Sequence, residues 1–270
     1  MFTQFEVDLA GYFVQRAAAY VNMGETDQAI HDYTTALDLY PEDIQALFRR
    51  GCVLADTDRH IEAIGDFDRA LEIDPMHDGL LFRRGVSYAA LSDHTRAIAD
   101  FSRAIALNPL YPQYYQQRGL SYSQTSALEA AVHDFDQALT LDTHDVLSYY
   151  YRARTYSMIG EYTSAIRDLS YAVSLAPQDP AIYFERATNY YYQSDYLRAL
   201  ADYRQAILLE PSYAEAYAGL GAACLHIGHM EDGLAHYRQY LRLVGSAADP
   251  RIVRLVKRME QNSGLAAHSG

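Results

Sequence analysis

The pentapeptide LFRRG occurs twice in this chain, at 47–51 and at 81–85, and the two copies lie 34 residues apart. Cutting the sequence every 34 residues from Ala10 gives seven units that align without a gap: 10–43, 44–77, 78–111, 112–145, 146–179, 180–213 and 214–247. A fixed period of this length is typical of repeat proteins, in which each unit contacts mainly its neighbours. The period therefore constrains the fold more than any other feature of the sequence.

Each unit carries two stripes of residues at helical spacing. The fourth, eighth and eleventh places are mostly large, small and large, and the twentieth, twenty-fourth and twenty-seventh are mostly Ala, aromatic and Ala. Such spacings place residues on one face of a helix, and small residues let two helix backbones approach closely. A turn-tolerant residue such as Gly24 or Asp58 stands midway, and a helix-ending Pro closes five of the units. Each unit is therefore predicted to be an antiparallel helical hairpin that must stack on its neighbours to bury both stripes.

This pattern resembles the tetratricopeptide repeat family, whose large–small–large and Ala–aromatic–Ala–Pro places are matched over residues 10–247. The resemblance implies an all-α protein, a right-handed superhelical solenoid of antiparallel helical hairpins. It also implies a non-catalytic adaptor that holds a segment of a partner protein against a concave wall, built mainly from the first helix of each hairpin. Residues 1–9 are predicted to extend or precede the first helix.

The seventh and twenty-third places vary together. Family members favour Leu at the seventh place, but six units of this chain have Arg there and Asp at the twenty-third, whereas the last unit has Leu220 and His236. The two places lie equally far from the turn, so they should face each other, and a guanidinium fork matches a carboxylate. A ladder of arginines that binds an acidic ligand would leave the matching Asp unexplained. We therefore predict hairpin-locking ion pairs between Arg16 and Asp32, Arg50 and Asp66, Arg84 and Asp100, Arg118 and Asp134, Arg152 and Asp168, and Arg186 and Asp202.

A further helix is predicted after the seventh unit, over residues 249–261. Asp249 suits the N-cap, Pro250 suits the first turn, and apolar residues recur on one face while basic residues crowd the other. Repeat arrays need a terminal cap with a polar outer face, so we expect a capping helix, with a basic partner-docking helix as the alternative. Residues 262–270 are predicted to be a flexible tail.

Composition excludes several classes of function. The formal net charge is −13 and the one lysine, Lys257, lies outside the repeats, which disfavours a nucleic acid partner. Cys52 and Cys224 follow no metal or redox spacing, and neither a signal peptide nor a membrane-length apolar run is present. The expectation is a soluble cytoplasmic protein with no membrane association. No catalytic constellation or cofactor motif is found, and a metal cluster of His226, His229 and His236 is disfavoured because these residues span a turn and two helices.

The candidate partner-binding wall follows from the family resemblance, which places inward residues at about the second, fifth, ninth, twelfth and thirteenth places. These places are mostly apolar here, which disfavours the Lys–Asn–Arg carboxylate clamp of the family's chaperone-binding members. The wall is densest in the fifth and sixth units, where six residues are expected to converge around one cationic centre: Tyr150, Arg154, Met158, Phe184, Tyr191 and Tyr192. Phe48 and Phe82 are weaker candidates at the other end. Burial of these aromatics in the core is the alternative for the wall, and self-association into a homo-oligomer through end units or the groove is the alternative function.

Overall fold

The computed structural model describes residues 3–267, and the side chains of residues 3–261. Within this range the chain forms fifteen α-helices and no strand. The helices are α1 (Gln4–Met23), α2 (Thr26–Leu39), α3 (Ile44–Asp56), α4 (His60–Ile73), α5 (Asp78–Ala90), α6 (His94–Leu107), α7 (Pro112–Gln124), α8 (Leu128–Leu141), α9 (Val146–Ile159), α10 (Tyr162–Leu175), α11 (Pro180–Tyr192), α12 (Tyr196–Leu209), α13 (Ala214–His226), α14 (Met230–Val244) and α15 (Pro250–Ala267).

The helices pack as consecutive hairpins in two compact halves. The N-terminal half, Met1–Thr143, contains the hairpins α1–α2, α3–α4, α5–α6 and α7–α8. The C-terminal half, His144–Gly270, contains the hairpins α9–α10, α11–α12 and α13–α14, followed by α15. Within each half the second helix of one hairpin packs against the first helix of the next. The predicted all-α solenoid of helical hairpins is confirmed.

The core lies between the two helices of each hairpin and between neighbouring hairpins. In the second hairpin, Ala63, Phe67 and Ala70 on α4 are fully buried, and Gly51 on α3 faces the Phe67 ring. A Cβ atom on Gly51 would lie 2.6 Å from a ring carbon of Phe67, closer than real Cβ contacts. The small residue at the eighth place therefore sets the distance between the two helices.

The turn inside each hairpin depends on one left-handed residue. The fifteenth place has positive φ in all seven hairpins: Gly24 (78°), Asp58 (59°), Ser92 (61°), Ser126 (61°), Gly160 (91°), Ser194 (62°) and Gly228 (85°). In the second hairpin the N–H of Arg59 donates to Leu54 O at 2.8 Å and the N–H of Asp58 to Ala55 O at 3.1 Å. These two hydrogen bonds together form the Schellman motif, which requires a residue in the left-handed conformation. Four of the seven hairpins carry it without glycine.

Replacing Ser126 by Gly is expected to stabilise the N-terminal half by about 1 kcal/mol, because a left-handed conformation costs a residue with a Cβ about 1–2 kcal/mol and Gly almost nothing. The matched reverse change is Gly160→Ser at the same place of another hairpin, where a Cβ would meet no atom within 4 Å. Urea denaturation followed by circular dichroism measures both. A change of the same sign in the two variants would contradict this account of the turn.

A helical segment lies at each end of the array. The helix α1 begins at Gln4, with Thr3 and Glu6 forming a capping box, so residues 4–9 are helical; residues 1 and 2 lie outside the described range. At the other end, the Asp249 carboxylate accepts the N–H of Arg251 at 2.8 Å, and Val256 is buried against Leu234 and Tyr237.

The helix α15 is longer than the sequence predicts. It continues to Ala267, so residues 262–267, which were expected to be a flexible tail, are helical. Gly264 lowers helix propensity by about 1 kcal/mol, but unlike Pro it keeps its N–H and does not block the helix. Residues 268–270 lie outside the described range. None of the helices between residues 3 and 267 is long and apolar enough to cross a membrane.

Candidate protein-interaction surfaces

The six Arg–Asp pairs form two-pronged contacts inside their hairpins. In each pair the Nε of Arg donates to Oδ2 of Asp and the Nη2 donates to Oδ1, at 2.6–2.9 Å. All six carboxylates are buried. Hydrogen bonds from Arg16 lower the pKa of Asp32, although its burial acts in the opposite direction. The paired geometry fixes one helix of each hairpin against the other.

The third guanidinium nitrogen links neighbouring hairpins, which the sequence alone did not predict. The Nη1 atoms of Arg50, Arg84 and Arg118 donate to Thr34, Asp68 and Ser102, at 2.9, 2.6 and 3.0 Å. Each acceptor lies on the second helix of the preceding hairpin, 16 residues earlier. Arg186 makes the same contact with Ser170 at 3.3 Å. These arginines are therefore used within the protein and are not available as a ladder for an acidic ligand.

Aromatic rings at the fourth place cover several of these guanidinium groups. The Cζ atom of the arginine lies 5.1–5.9 Å from the ring centre of Phe13, Tyr115, Tyr149 or Tyr183 in the corresponding hairpin. At this distance a cation and a ring attract each other. The last hairpin has Leu220 buried in place of Arg, and burial lowers the pKa of the facing His236. Three of the four tyrosines at the fourth place, Tyr115, Tyr149 and Tyr183, thus lie over an arginine, and the fourth, Tyr217, lies beside His236.

The first group of predicted wall residues surrounds a carboxylate that the sequence prediction missed. Glu185 on α11 lies 3.6 Å from Nε of Arg154 and accepts a hydrogen bond from the Tyr150 hydroxyl at 3.4 Å. Burial raises the pKa of Glu185, an effect that Arg154 opposes, and burial raises the pKa of Tyr150 to about 12. Arg154 is therefore part of a half-buried ion pair and is not an isolated cation. The sequence could have indicated this ion pair, because an acidic residue, Glu185, stands in the unit that follows the inward Arg154.

The second group forms an aromatic cluster at the edge of the C-terminal half where the hairpins turn. We call it the turn-edge cluster and define it by Tyr162, Tyr191, Tyr192, Tyr196 and His226. Two ring pairs are stacked, Tyr162 on Tyr192 at 5.3 Å and Tyr196 on His226 at 4.6 Å. Tyr191 lies between them and contacts Tyr192, Tyr196 and His226 edge-on at 5.3–5.9 Å.

The turn-edge cluster has its own regularity. Each stacked pair joins the seventeenth place of one unit to the thirteenth place of the next, 30 residues later. Tyr192 is stacked on one face, yet 59% of it stays exposed, and Met158 and His226 are exposed as well. Tyr192 and His226 are therefore the members of the cluster that solvent reaches most, and Tyr162, Tyr191 and Tyr196 are half-buried. Tyr162, Tyr196 and His226 were not among the predicted wall residues, and the 30-residue spacing of aromatic residues could have indicated them.

Two of the predicted wall residues serve mainly in packing. Phe184 lies against Tyr203 and Tyr213, at 5.8 and 5.1 Å. Phe82 lies against Phe101 and Tyr114, at 5.8 and 4.9 Å. The ring contacts of the C-terminal wall residues thus form two groups, and Phe184 is half-buried against the core between hairpins.

The N-terminal half has a cavity of about 430 Å³ on its first two hairpins. Its lining residues are Ala18, Val21, Asn22, Tyr33, Gln45, Phe48, Arg49, Cys52, Val53 and Asp56. Seven of these occupy the second, fifth, ninth, twelfth or thirteenth places, which the resemblance marked as inward. Phe48 thus borders a concave space, and burial raises the pKa of the Cys52 thiol at its wall. The other three, Tyr33, Arg49 and Val53, were missed because they lie at other places of the repeat.

The three histidines of the last unit have separate surroundings. His226 stacks on Tyr196, His229 lies 3.5 Å from Asp232, and His236 lies beside Tyr217. Among residues 3–261, whose side chains are described, no group of three or more His, Cys, Asp or Glu is arranged to hold a metal ion.

Comparison with known proteins identifies the family. The model of the tetratricopeptide repeat family matches residues 14–78, 62–114, 82–140 and 184–250, which together span more than half of the chain. The chain therefore belongs to the tetratricopeptide repeat family. No curated protein matches it.

Solved structures with the same fold include three that are informative. A tetratricopeptide repeat protein from Parabacteroides merdae superposes with a TM-score of 0.70 at 20% identity, covering 93% of this chain and 98% of its own. The Cut9–Hcn1 hetero-tetramer of the APC/C gives 0.67 at 18% identity, covering 90% of this chain and 48% of the matched chain. YrrB, described as a TPR protein with an unusual peptide-binding site, gives 0.59 at 17% identity, covering 68% and 95%. At these identities the similarity is one of fold.

Proposed function

We propose that this protein is a non-catalytic scaffold that binds an extended or helical segment of a partner protein against the aromatic wall of its C-terminal half. Tetratricopeptide repeats generally mediate protein–protein interaction, and YrrB is described as having a peptide-binding site. The observation that carries the proposal is the turn-edge cluster, in which stacked rings leave Tyr192 and His226 exposed. Tyrosine combines apolar area with a polar tip and dominates many interfaces, so a surface of stacked tyrosines favours a protein ligand.

The pair formed by Arg154 and Glu185 supplies polarity beside this wall. The two charges lie within one half-buried site, where the Tyr150 hydroxyl also donates a hydrogen bond to Glu185. Such a pair orients polar groups of a bound segment but gives no strong preference for net charge. Aromatic area is therefore expected to supply most of the binding free energy. The excess of carboxylates in the sequence argues against nucleic acid as the partner, and the free thiols of Cys52 and Cys224 are consistent with a cytoplasmic location.

Replacing Tyr192 by Ala is expected to weaken binding of a partner peptide about fivefold or more, because truncating an interface tyrosine of this kind costs over about 1 kcal/mol. Peptides would be selected on the wild-type protein from a displayed random library, and their dissociation constants measured by fluorescence anisotropy.

The chain offers a matched control for this experiment. Tyr171 is exposed to 56% and stacked on Tyr149 at 5.6 Å, as Tyr192 is on Tyr162, but it lies on a second helix, α10, away from the turn-edge cluster. Tyr171→Ala should leave the affinity unchanged. Peptides that bind wild type and Tyr192→Ala equally well would contradict the placement of the site on this cluster.

A further inference from the structure

The outer face of α1 is exposed where the same face of each later hairpin in the N-terminal half is covered. Tyr12 occupies the third place and is 54% exposed, whereas Ala46, Leu80 and Tyr114 at that place are buried. Ala19 at the tenth place is exposed, whereas Val53, Ser87 and Ser121 are buried. The side chain of Arg16 is 40% exposed, against 16–17% for its three counterparts. We call this surface the α1 face and define it by Phe5, Asp8, Tyr12, Arg16 and Ala19.

The later hairpins show what kind of group covers such a face. There, the second helix of the preceding hairpin lies on it and offers an oxygen acceptor to the Nη1 atom of the arginine. Among residues 3–261 no second helix lies on the α1 face. Arg16 instead lies 5.4 and 5.1 Å from the ring centres of Tyr12 and Phe13. The face thus lacks a helix that carries an oxygen acceptor opposite Arg16.

A second copy of α1 supplies both the helix and the acceptor. If two α1 helices pack antiparallel about a two-fold axis level with Tyr12, residues whose numbers add to 24 lie in the same layer. Asp8 then lies level with Arg16 of the other copy, and the large Phe5 lies level with the small Ala19. Phe5 is among the most exposed apolar residues of the chain. The face is therefore complementary to itself in charge and in size, as a two-fold interface requires.

We propose that the protein forms a homodimer through this antiparallel pairing of α1 with α1. The inference is independent of the proposed peptide site, since no residue of the C-terminal half takes part in it. The helix has 20 residues and is about 30 Å long, so the contact is at the small end of specific interfaces and a dissociation constant in the micromolar range is expected.

Net charge opposes the pairing and decides the conditions of the test. Residues 1–143 contain 22 acidic and 10 basic side chains, a formal charge of −12, whereas residues 144–270 contain 13 and 12, a charge of −1. Two N-terminal halves therefore repel each other at long range. This repulsion is screened beyond about 8 Å at an ionic strength of 0.15 M, so association is to be measured at that ionic strength or above.

Sedimentation velocity of the full chain from about 1 to 200 µM, a range that brackets a micromolar constant, tests the proposal. Asp8→Arg is expected to weaken the dimer about a hundredfold, because each interface then contains two arginine pairs of like charge. Asp8 is exposed and its one described side-chain contact is a bond from the Gln4 amide at 2.8 Å, so the monomer should keep its fold. The matched control is Asp38→Arg, the same change at an exposed site of α2, which should dimerise like wild type.

Two further variants locate the interface. Ala19→Arg should also give a monomer, because a long charged side chain would meet Phe5 of the other copy. Tyr12→Cys should be cross-linked between copies by a short bismaleimide far faster than Asp38→Cys, since residue 12 of one copy lies level with residue 12 of the other across the two-fold axis. A wild-type protein that stays monomeric throughout the range overturns the proposal. So does a dimer that Asp8→Arg and Ala19→Arg leave intact, which would place the contact elsewhere.

Discussion

Replacing Asp66 by Ala is expected to lower the free energy of unfolding of the N-terminal half by about 3 kcal/mol, because removing one partner of a buried ion pair leaves an uncompensated charge. Asp66 is buried and accepts hydrogen bonds from two nitrogens of Arg50, at 2.8 and 2.6 Å. The side chain of Arg50 is mostly buried, so water can solvate the orphaned guanidinium only in part. Its remaining partner is the neutral hydroxyl of Thr34. Urea denaturation monitored by circular dichroism gives the free energy change.

Two comparisons separate the orphaned charge from a mere loss of contact. Asp100→Ala removes the equivalent carboxylate in the next hairpin, but there Arg84 keeps a second carboxylate, Asp68, at 2.6 Å. That variant should therefore lose clearly less stability than Asp66→Ala. The double variant Arg50→Leu/Asp66→Ala removes the charge altogether and should recover most of the loss, since apolar replacement of a buried pair is often neutral. Equal losses in Asp66→Ala, Asp100→Ala and the double variant would contradict the explanation.

The fold and the pairing within hairpins could be predicted because both depend on short-range spacing. A stripe at three- and four-residue intervals defines a helix face, and two places equally far from a turn face each other whatever surrounds the hairpin. The ion pair between Arg118 and Asp134 could be predicted from those two facts alone. The bond from Arg118 to Ser102 depends in addition on how far one hairpin is rotated against the previous one. The repeat period does not contain that rotation, so the link between hairpins could not be predicted.

The candidate wall was predicted only in part for a related reason. The place of a residue in the repeat indicates which way its side chain points, but the neighbouring residue decides whether it is covered. Phe184 and Tyr192 both point towards the wall, yet Phe184 lies under Tyr213, which precedes α13, and Tyr192 stacks on Tyr162 and stays exposed. Glu185 was missed because the sixth place is not an inward place in the family pattern. Both features depend on contacts between units.

Replacing the Gly at the eighth place by Ala is expected to have the second large effect on the free energy of unfolding. Whether the change is a loss or a gain depends on the aromatic ring that faces the glycine. Gly85→Ala would place a Cβ atom 2.7 Å from a ring carbon of the buried Phe101, and we expect a net loss of about 1–2 kcal/mol from overpacking, after the gain in helix propensity is subtracted. Gly65→Ala is the matched control, since a Cβ there meets nothing within 4 Å and Ala favours a helix by about 0.5–1 kcal/mol.

The two substitutions are chemically identical and both lie within helices of the N-terminal half, so urea denaturation under one condition compares them directly. Opposite signs are expected because only Gly85 faces an aromatic ring across the hairpin. The chain itself favours this account: in each of the three units with Phe at the twenty-fourth place, the eighth place is Gly. If Gly85→Ala stabilised the protein as much as Gly65→Ala, the Phe101 ring would be free to shift, and the small residue would not determine how closely the two helices pack.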